Sequence, residues 1–115
     1  MTDQNLFDSL VTELKRGTLT LAVLGSLSQP RYGYELLQQL QGGSLDIEAN
    51  TLYPLLRRLE SQGLLSSTWD VGESRPRKYY KLSGQGRGIY LRLCREWEAM
   101  NGIICKIISA GEDKK

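Results

Sequence analysis

The hydrophobic period of this chain changes at Gly63 from that of a helix to that of a strand, and this change constrains the fold most. Before Gly63, leucines recur at the spacing of a helix with one buried face: Leu52, Leu55, Leu56 and Leu59. After it, residues 65–70 alternate with a period of two, which predicts a strand. A second alternating segment, 77–82, follows a turn at 71–76, so the two strands should form a β-hairpin.

The helix predicted at 50–63 has a polar face opposite its leucines. Successive residues are 100° apart around a helix, which places the following residues on the outer face and its flanks: Asn50, Tyr53, Pro54, Arg57, Arg58 and Ser61. An amide, a phenol and guanidinium groups that point away from a leucine-anchored face suit a helix that reads the DNA major groove. An ordinary surface helix would show the same periodicity, so this pattern alone leaves both interpretations open.

Two further helices are predicted before this one. Apolar positions within 6–27 indicate a long first helix, with a kink or restart at Gly17 because glycine costs about 1 kcal/mol inside a helix. The segment 32–40 predicts a second helix, and a short extended piece at 44–47 leads into the helix at 50–63. Two helices joined by a brief connection, the second polar on its outer face, match a helix-turn-helix.

The predicted hairpin carries a cluster of positive charge. Arginines and lysines at its tip and along its second strand are interleaved with tyrosines: Arg75, Arg77, Lys78, Tyr79, Tyr80 and Lys81. Basic and aromatic side chains on a protruding hairpin suit phosphate contacts along a groove. A charged edge that blocks strand pairing is the alternative. A helix-turn-helix followed by a basic hairpin is nevertheless the order of a winged helix, and the combination is more specific than either part.

A single long helix is predicted from Ser83, its N-cap, to about Ser109. Its apolar residues are spaced like the seam of a coiled coil: Tyr90, Leu93, Trp97, Met100, Ile104 and Ile107. A small winged domain cannot cover so long a stripe. We therefore expect a homodimer, in which this helix and Leu10 and Leu14 of the first helix pack against a second copy. A helix folded back within a monomer is the alternative.

The expected fold is mainly α with a small β-hairpin, and 115 residues suffice for one hydrophobic core. Residues 1–82 would form a winged helix-turn-helix DNA-binding domain whose N-terminal helix contributes to the dimer. Residues 83–115 would form the C-terminal dimerisation helix and a short tail. Cys94 and Cys105 would lie about 16 Å apart along that helix, too far for an intrachain disulfide. We expect two buried, reduced thiols, with a bridge between subunits as the alternative.

Composition excludes several classes of protein. The chain has no histidine, the commonest catalytic base and zinc ligand, so we expect no enzyme, no catalytic residue, no metal site and no cofactor. The glycine-rich segment 84–88 lacks the spacing of a nucleotide-binding loop, and helix capping explains it more simply. Neither a long apolar run nor a secretory signal is present, so we expect a cytoplasmic protein with no membrane partner. Because the net charge is only +2, a nucleic-acid partner must be argued from local charge.

Three segments together resemble the PadR family of bacterial transcriptional regulators. They are YGYELLQQL, NTLYPLLRRLESQGLL and SRPRKYYKLS, with Gly86 after the last and a tryptophan in the final helix. The resemblance extends from about Leu14 to Ile108, and the short single C-terminal helix is similar to the smaller subfamily. It implies a dimeric winged-helix repressor that binds double-stranded DNA at a palindromic operator.

The resemblance also implies roles for individual residues. The helix from Asn50 to Arg58 would enter the major groove, where the Asn50 amide could read adenine. Family members often have glycine at this position, and asparagine tolerates the positive φ of a turn better than most residues. The residues expected to contact DNA are Tyr32, Asn50, Thr51, Tyr53, Arg57, Arg58, Arg75, Arg77, Lys78 and Tyr79.

Some family members bind planar aromatic compounds at the dimer centre, stacked on a tryptophan of the last helix. Trp97 matches that position and would be the effector-binding residue. The alternative is a Trp97 that only anchors the dimer interface. At the level of function, a DNA-binding repressor and a winged-helix module that binds a protein partner through the wing both remain open.

Overall fold

The computed structural model of the chain describes residues 2–43, 45–72 and 75–113. Within these ranges lie four helices and three strands, in the order α1 (Asp3–Ser26), β1 (Arg31–Tyr32), α2 (Gly33–Gly42), α3 (Ala49–Ser61), β2 (Leu65–Asp70), β3 (Arg77–Leu82) and α4 (Gly84–Asp113). The strands form one antiparallel sheet in the order β1-β3-β2. This is the expected fold: a winged helix-turn-helix with a hairpin wing and a long C-terminal helix.

The core lies between the end of α1, the helices α2 and α3, and one face of the sheet. The four leucines that defined the buried face of α3 are all buried, as predicted, and so are Tyr80 and Leu82 of β3. Burying each such leucine stabilises the fold by about 1.5–3 kcal/mol relative to leaving it exposed. A backbone hydrogen bond from the Leu82 amide to the Leu27 carbonyl, 2.9 Å long, joins the end of the sheet to the end of α1.

The helix α3 ends before Gly63, close to the end that the sequence predicts, and the chain leaves it through this glycine in a left-handed conformation. Gly63 has φ of 81°, a conformation that glycine adopts without a steric penalty. Its amide donates to the Glu60 carbonyl, and the amide of Leu64 donates to the carbonyl of Leu59, both at 3.0 Å. These two bonds form a Schellman cap, which satisfies the last carbonyls of the helix and turns the chain directly into β2.

The restart predicted at Gly17 is wrong. The helix α1 runs without interruption through Gly17, because the hydrogen-bonded turns on both sides outweigh the cost of one glycine. The following Thr18 stays within the helix by donating its hydroxyl to the Lys15 carbonyl at 2.8 Å. The described part of the connection predicted as extended at 44–47 has no regular secondary structure, and the amides of Leu45 and Ile47 donate to the carbonyls of Leu40 and Leu45. Ser44 lies outside the described residues.

The strand β1 was not predicted. It has only two residues, which is too short for any alternation to be visible, and the sequence assigns Tyr32 to the helix that begins one residue later. In the structure Arg31 pairs with Tyr80 and Tyr32 pairs with Tyr79. The Arg31 guanidinium also donates from Nε to the carbonyl of Ser26 at 3.0 Å, which fixes the strand to the end of α1.

The helix α4 starts as predicted and continues to Asp113. The Ser83 hydroxyl accepts a hydrogen bond from the Gly86 amide at 2.9 Å, confirming the N-cap, and lies 2.6 Å from the Gly63 carbonyl, to which it donates. Gly86 itself is buried, and a Cβ atom placed on it would overlap the carbonyl group of Leu64. Across the described ranges, no helix combines the length and the apolarity that a membrane crossing requires.

Candidate nucleic-acid interface

The helix α3 presents the predicted polar face to solvent. Asn50, Thr51, Arg57 and Arg58 are all exposed, while the leucines on the opposite side fix the helix to the core. Asn50 lies in the first turn of the helix rather than in a turn that precedes it, so the argument from positive φ does not apply to it. Its side chain is available to contact a ligand, because the amides of Thr51 and Leu52 are satisfied by the carbonyl of Glu48 at 3.0 Å.

Tyr53 is half-buried between α3 and α2. A Cβ atom on Gly33 would overlap its ring, so the start of α2 rests directly on the tyrosine. Burial is the main reason why the pKa of the phenol is raised above its ordinary value of 10.0. Tyr53 is therefore a neutral hydrogen-bond donor that also holds the two helices of the helix-turn-helix together.

The strand β1 brings Tyr32 beside the wing. Its ring meets that of Tyr79 edge-on, with 5.5 Å between centroids and 81° between planes. The guanidinium of Arg77 lies over the Tyr32 ring, 4.8 Å from its centroid, in a cation–π contact. Arg77 is otherwise exposed, so the stacking orients the guanidinium while its N–H groups stay accessible. Three predicted DNA-contacting residues thus form one cluster on the face of the sheet away from α3.

Lys78 points toward α3, unlike its neighbours on β3. Its ammonium lies 3.0 Å from the Glu60 carboxylate and 5.1 Å from the centroid of the Tyr80 ring. The second carboxylate oxygen of Glu60 accepts a hydrogen bond from the Ser67 hydroxyl on β2. The hydrogen bond from Ser67 and then that from Lys78 lower the pKa of Glu60, and the bond to Glu60 raises the pKa of Lys78.

Glu60 is the residue of this surface that sequence reasoning missed. A signal was present, because Glu60 follows Leu56 by four residues and Leu59 by one, and so shares the inner side of the helix. An acidic residue at such a position needs a partner, and the nearest basic segment is the wing. Elsewhere on the wing, Arg75 is exposed at the tip, and Asp70 accepts a hydrogen bond from the Gly72 amide at 3.0 Å.

The apolar stripe of α4 is uncovered in the single chain. Trp97 is 41% exposed and Ile107 is 65% exposed, and Leu10 and Leu14 of α1 are exposed as well. A cleft of about 570 Å³ lies between α1 and α4, and its apolar lining comes from Leu14, Leu21, Leu93, Trp97, Met100 and Ile104. Tyr90 is the exception, since it packs against Gly25 of α1, where a Cβ atom would lie 2.8 Å from its hydroxyl oxygen.

The cysteines differ from each other. Cys94 is half-buried, and its thiol beside the phenol is the first cause of the raised pKa of Tyr90. Cys105 is exposed, so the expectation that both thiols are buried is wrong for this residue. Its position on the outer part of α4 explains the difference, because that part of the helix extends beyond the core of the single chain.

Comparison with known proteins identifies the family of the chain. Residues 20–90 match the Transcriptional regulator PadR-like family. The crystal structure of a PadR family regulator from Eggerthella lenta is 46% identical, with a TM-score of 0.87 over 91% of this chain and 94% of that one. A PadR family regulator from Clostridium difficile is 26% identical, with a TM-score of 0.72 over 77% of this chain and 96% of that one.

A relative that is similar in sequence is also named a transcriptional regulator. The protein named Transcriptional regulator Rv3488, from Mycobacterium tuberculosis, is 34% identical over 76 residues, which cover 65% of this chain and 71% of that protein. PadR-like proteins are DNA-binding regulators that typically dimerise, and they are not enzymes. The family match confirms the resemblance that the motifs on α2, α3 and the wing indicated. The chain belongs to the PadR-like family of transcriptional regulators.

Proposed function

We propose that this chain is a homodimeric, sequence-specific DNA-binding repressor that recognises a palindromic operator. The observation that carries the proposal is the pairing of two surfaces. One is the exposed polar face of α3, which four buried leucines hold in place. The other is the wing, whose Arg77 is oriented by Tyr32. A leucine-anchored helix beside a basic hairpin suits simultaneous contact with a major groove and the flanking phosphates.

The proposed contacts divide by chemistry. Asn50 is placed to read a base edge, since an amide can bond adenine in two places. Thr51, Arg57, Arg58 and the phenols of Tyr32 and Tyr53 would bond phosphates or neighbouring base edges. On the wing, Arg75 and Arg77 would contact the flanking groove, with Tyr79 supporting Arg77 through Tyr32.

Dimerisation is supported by the uncovered stripe. A row of large apolar side chains, each more than a third exposed, extends along α4 from Leu91 to Ile108. Soluble monomers rarely expose contiguous apolar patches of this length, and a second copy offers an identical stripe of equal length. A two-fold dimer would present two α3 helices, which is why the proposed operator is palindromic. Such a regulator would act on DNA in the cytoplasm.

A planar aromatic effector is a further part of the proposal. The cleft beside Trp97 has about 570 Å³ and a mostly apolar lining, which falls in the size range of small-molecule sites. Trp97 offers an exposed ring face on which an aromatic compound could stack. Quenching of tryptophan fluorescence by such compounds in wild type, but not in Trp97→Phe, would support this part. Equal quenching in both would contradict it.

The salt dependence of DNA binding tests the main proposal. A duplex would first be selected from a random library with the wild-type protein. Its affinity would then be measured at several salt concentrations for the wild type and for Arg75→Ala/Arg77→Ala. We expect the double variant to bind all duplexes more weakly and the slope of log K against log salt to fall by about 0.9 for each lost phosphate contact. The control is Arg95→Ala/Lys106→Ala, which removes the same charge from α4 and should leave the slope unchanged.

Either of two results would contradict the proposal of a DNA-binding repressor. One is a wild type that binds no duplex at low salt, and the other is a wing variant with the affinity and the salt slope of the wild type. The first result would favour the module that binds a protein through the wing.

A further inference from the structure

The last turn of the recognition helix is fastened to both strands of the wing by a single side chain. Glu60 bonds Ser67 of β2 through one carboxylate oxygen and Lys78 of β3 through the other, the latter at 3.0 Å. Ser67 and Lys78 are not cross-strand partners, because Ser67 faces Tyr80 and Lys78 faces Trp69. Glu60 therefore spans two successive positions along the hairpin and restrains both strands at once.

The surroundings make this contact stronger than an ordinary surface pair. The side chains of Glu60 and Lys78 are only 30% and 28% exposed. Both of the carboxylate oxygens are occupied, and Lys78 also lies over the Tyr80 ring, so the ammonium is held from two sides. Charge-assisted bonds that share one acceptor group and are partly shielded from water are worth more than isolated exposed pairs.

The contact also lies where the wing leaves the core. Closer to the root, Leu65 and Leu82 are buried against the helices. Further out, Trp69 is 63% exposed and Val71 is 72% exposed, so packing contributes little to the position of the tip. The direction in which the tip projects from α3 thus depends on the bonds made by Glu60.

We infer that Glu60 is a positioning residue that latches the wing to the recognition helix, with Lys78 as its internal partner rather than a phosphate ligand. The latch fixes the separation between α3 and the arginines of the wing, Arg75 and Arg77. This inference rests on the proposed DNA-binding function and alters one of its expected contacts. Releasing Lys78 to bind a phosphate would leave the Glu60 carboxylate without its cation beside a polyanion.

The latch has a consequence for sequence discrimination. When the helix and the wing are held at one spacing, a duplex that fits both gains both sets of contacts without a further loss of conformational freedom. A loosened wing becomes a tethered basic segment that adapts to any duplex. Loss of the latch should therefore weaken binding to the selected duplex more than binding to a scrambled one.

The first test uses Glu60→Gln, which removes the charge and keeps the shape of the side chain. We expect the ratio of affinities for the selected and scrambled duplexes to fall by about fivefold, the scale of one partly buried charged contact. The control is Glu48→Gln, which removes an exposed acid at the other end of α3 and should leave this ratio unchanged. If Glu60→Gln binds both duplexes more tightly by one factor, then Glu60 only repels phosphates and the inference is overturned.

The second test separates the two roles of Lys78 by salt dependence. In Lys78→Met, a positioning role predicts weaker binding to the selected duplex with an unchanged salt slope. A phosphate contact predicts a slope smaller by about 0.9, which would overturn the inference. Lys106→Met, which removes an exposed lysine of α4 outside the proposed DNA contacts, is the control and should change neither the affinity nor the slope. The double variant Glu60→Gln/Lys78→Met should lose no more than either single one, because both break the same latch.

Hydrogen exchange of the free protein tests the contact of Glu60 with the wing in the absence of DNA. Amides of the hairpin between Ser67 and its tip should exchange faster in Glu60→Gln and Lys78→Met than in wild type and in Lys81→Met, the control at an exposed lysine of the same strand. The thermal unfolding midpoint shows whether each variant is folded. Unchanged exchange together with unchanged discrimination would overturn the latch alone. A wild type that binds no duplex would instead refute the proposed function, and with it the effect on discrimination.

Discussion

Gly86 offers the sharpest test of how α4 is seated on the winged domain. A Cβ atom at this position would overlap the carbonyl carbon and oxygen of Leu64, which belong to the backbone and cannot move as a flexible side chain can. Gly86→Ala therefore requires α4 to shift away from the turn that follows α3. The Gly86 amide also donates to Ser83, so the same shift would strain the N-cap of the helix.

The expected change in the free energy of unfolding follows from two opposed effects. Replacing glycine by alanine inside a helix gains about 1 kcal/mol of intrinsic helix propensity. Overpacking against backbone costs typically about 1–3 kcal/mol and more where nothing can relax. With the full overlap seen here, we expect Gly86→Ala to lower the free energy of unfolding by about 2 kcal/mol after the propensity gain.

Gly88 is a matched control two residues further along the same helix. A Cβ atom there would meet nothing within 4 Å among the described residues, so Gly88→Ala should raise the free energy of unfolding by about 0.5–1 kcal/mol. Urea unfolding at one fixed protein concentration would measure both, since a dimer makes the midpoint depend on concentration. Equal stability of Gly86→Ala and Gly88→Ala would refute the close packing of α4 on Leu64.

Three further outcomes follow from the structure. Ile104→Asp should shift the protein to monomers in sedimentation and weaken binding to the selected duplex by about tenfold or more, whereas Ser109→Asp should leave the sedimentation unchanged; a dimeric Ile104→Asp would argue against the stripe as the interface. Because the folded-state pKa of Glu60 is lowered, its stabilisation is present above the ordinary value of 4.5 and is lost as the pH falls through the lower folded value. The difference in thermal midpoint between wild type and Glu60→Gln should therefore be constant near neutral pH and shrink below pH 4.5, and a difference that persists at strongly acidic pH would count against this cause. Gly33→Ala should lower the unfolding free energy by about 1–3 kcal/mol through its overlap with Tyr53, and Tyr53→Ala in the same chain should recover part of that loss in a double-mutant cycle.

The elements with a strong hydrophobic period could be predicted from the sequence. The leucines of α3, the glycine that ends it and the serine that caps α4 each follow from local rules, and each is confirmed. The hairpin was predictable for the same reason, since its alternation and its turn are contiguous in the chain.

The features that escaped prediction depend on contacts between distant segments. The strand β1 exists because two residues pair with β3, almost fifty positions later, and nothing within residues 31–32 signals it. Glu60 was overlooked because its partners lie on two strands whose facing sides are known only after the hairpin is placed on α3. The close approach at Gly86 likewise arises only when α4 crosses the turn after α3.

The length of α1 and α4 relative to the core has a consequence for how the protein responds to its own concentration. Fully buried residues lie between Val23 and Gly86, and Leu19 is partly buried against the core, so the first four turns of α1 and the outer half of α4 have little tertiary packing within one chain. Helices without tertiary contacts are marginal in water. If a second copy supplies those contacts, dilution would melt the helix ends before the winged domain unfolds, and the helical content of the protein would itself report its assembly.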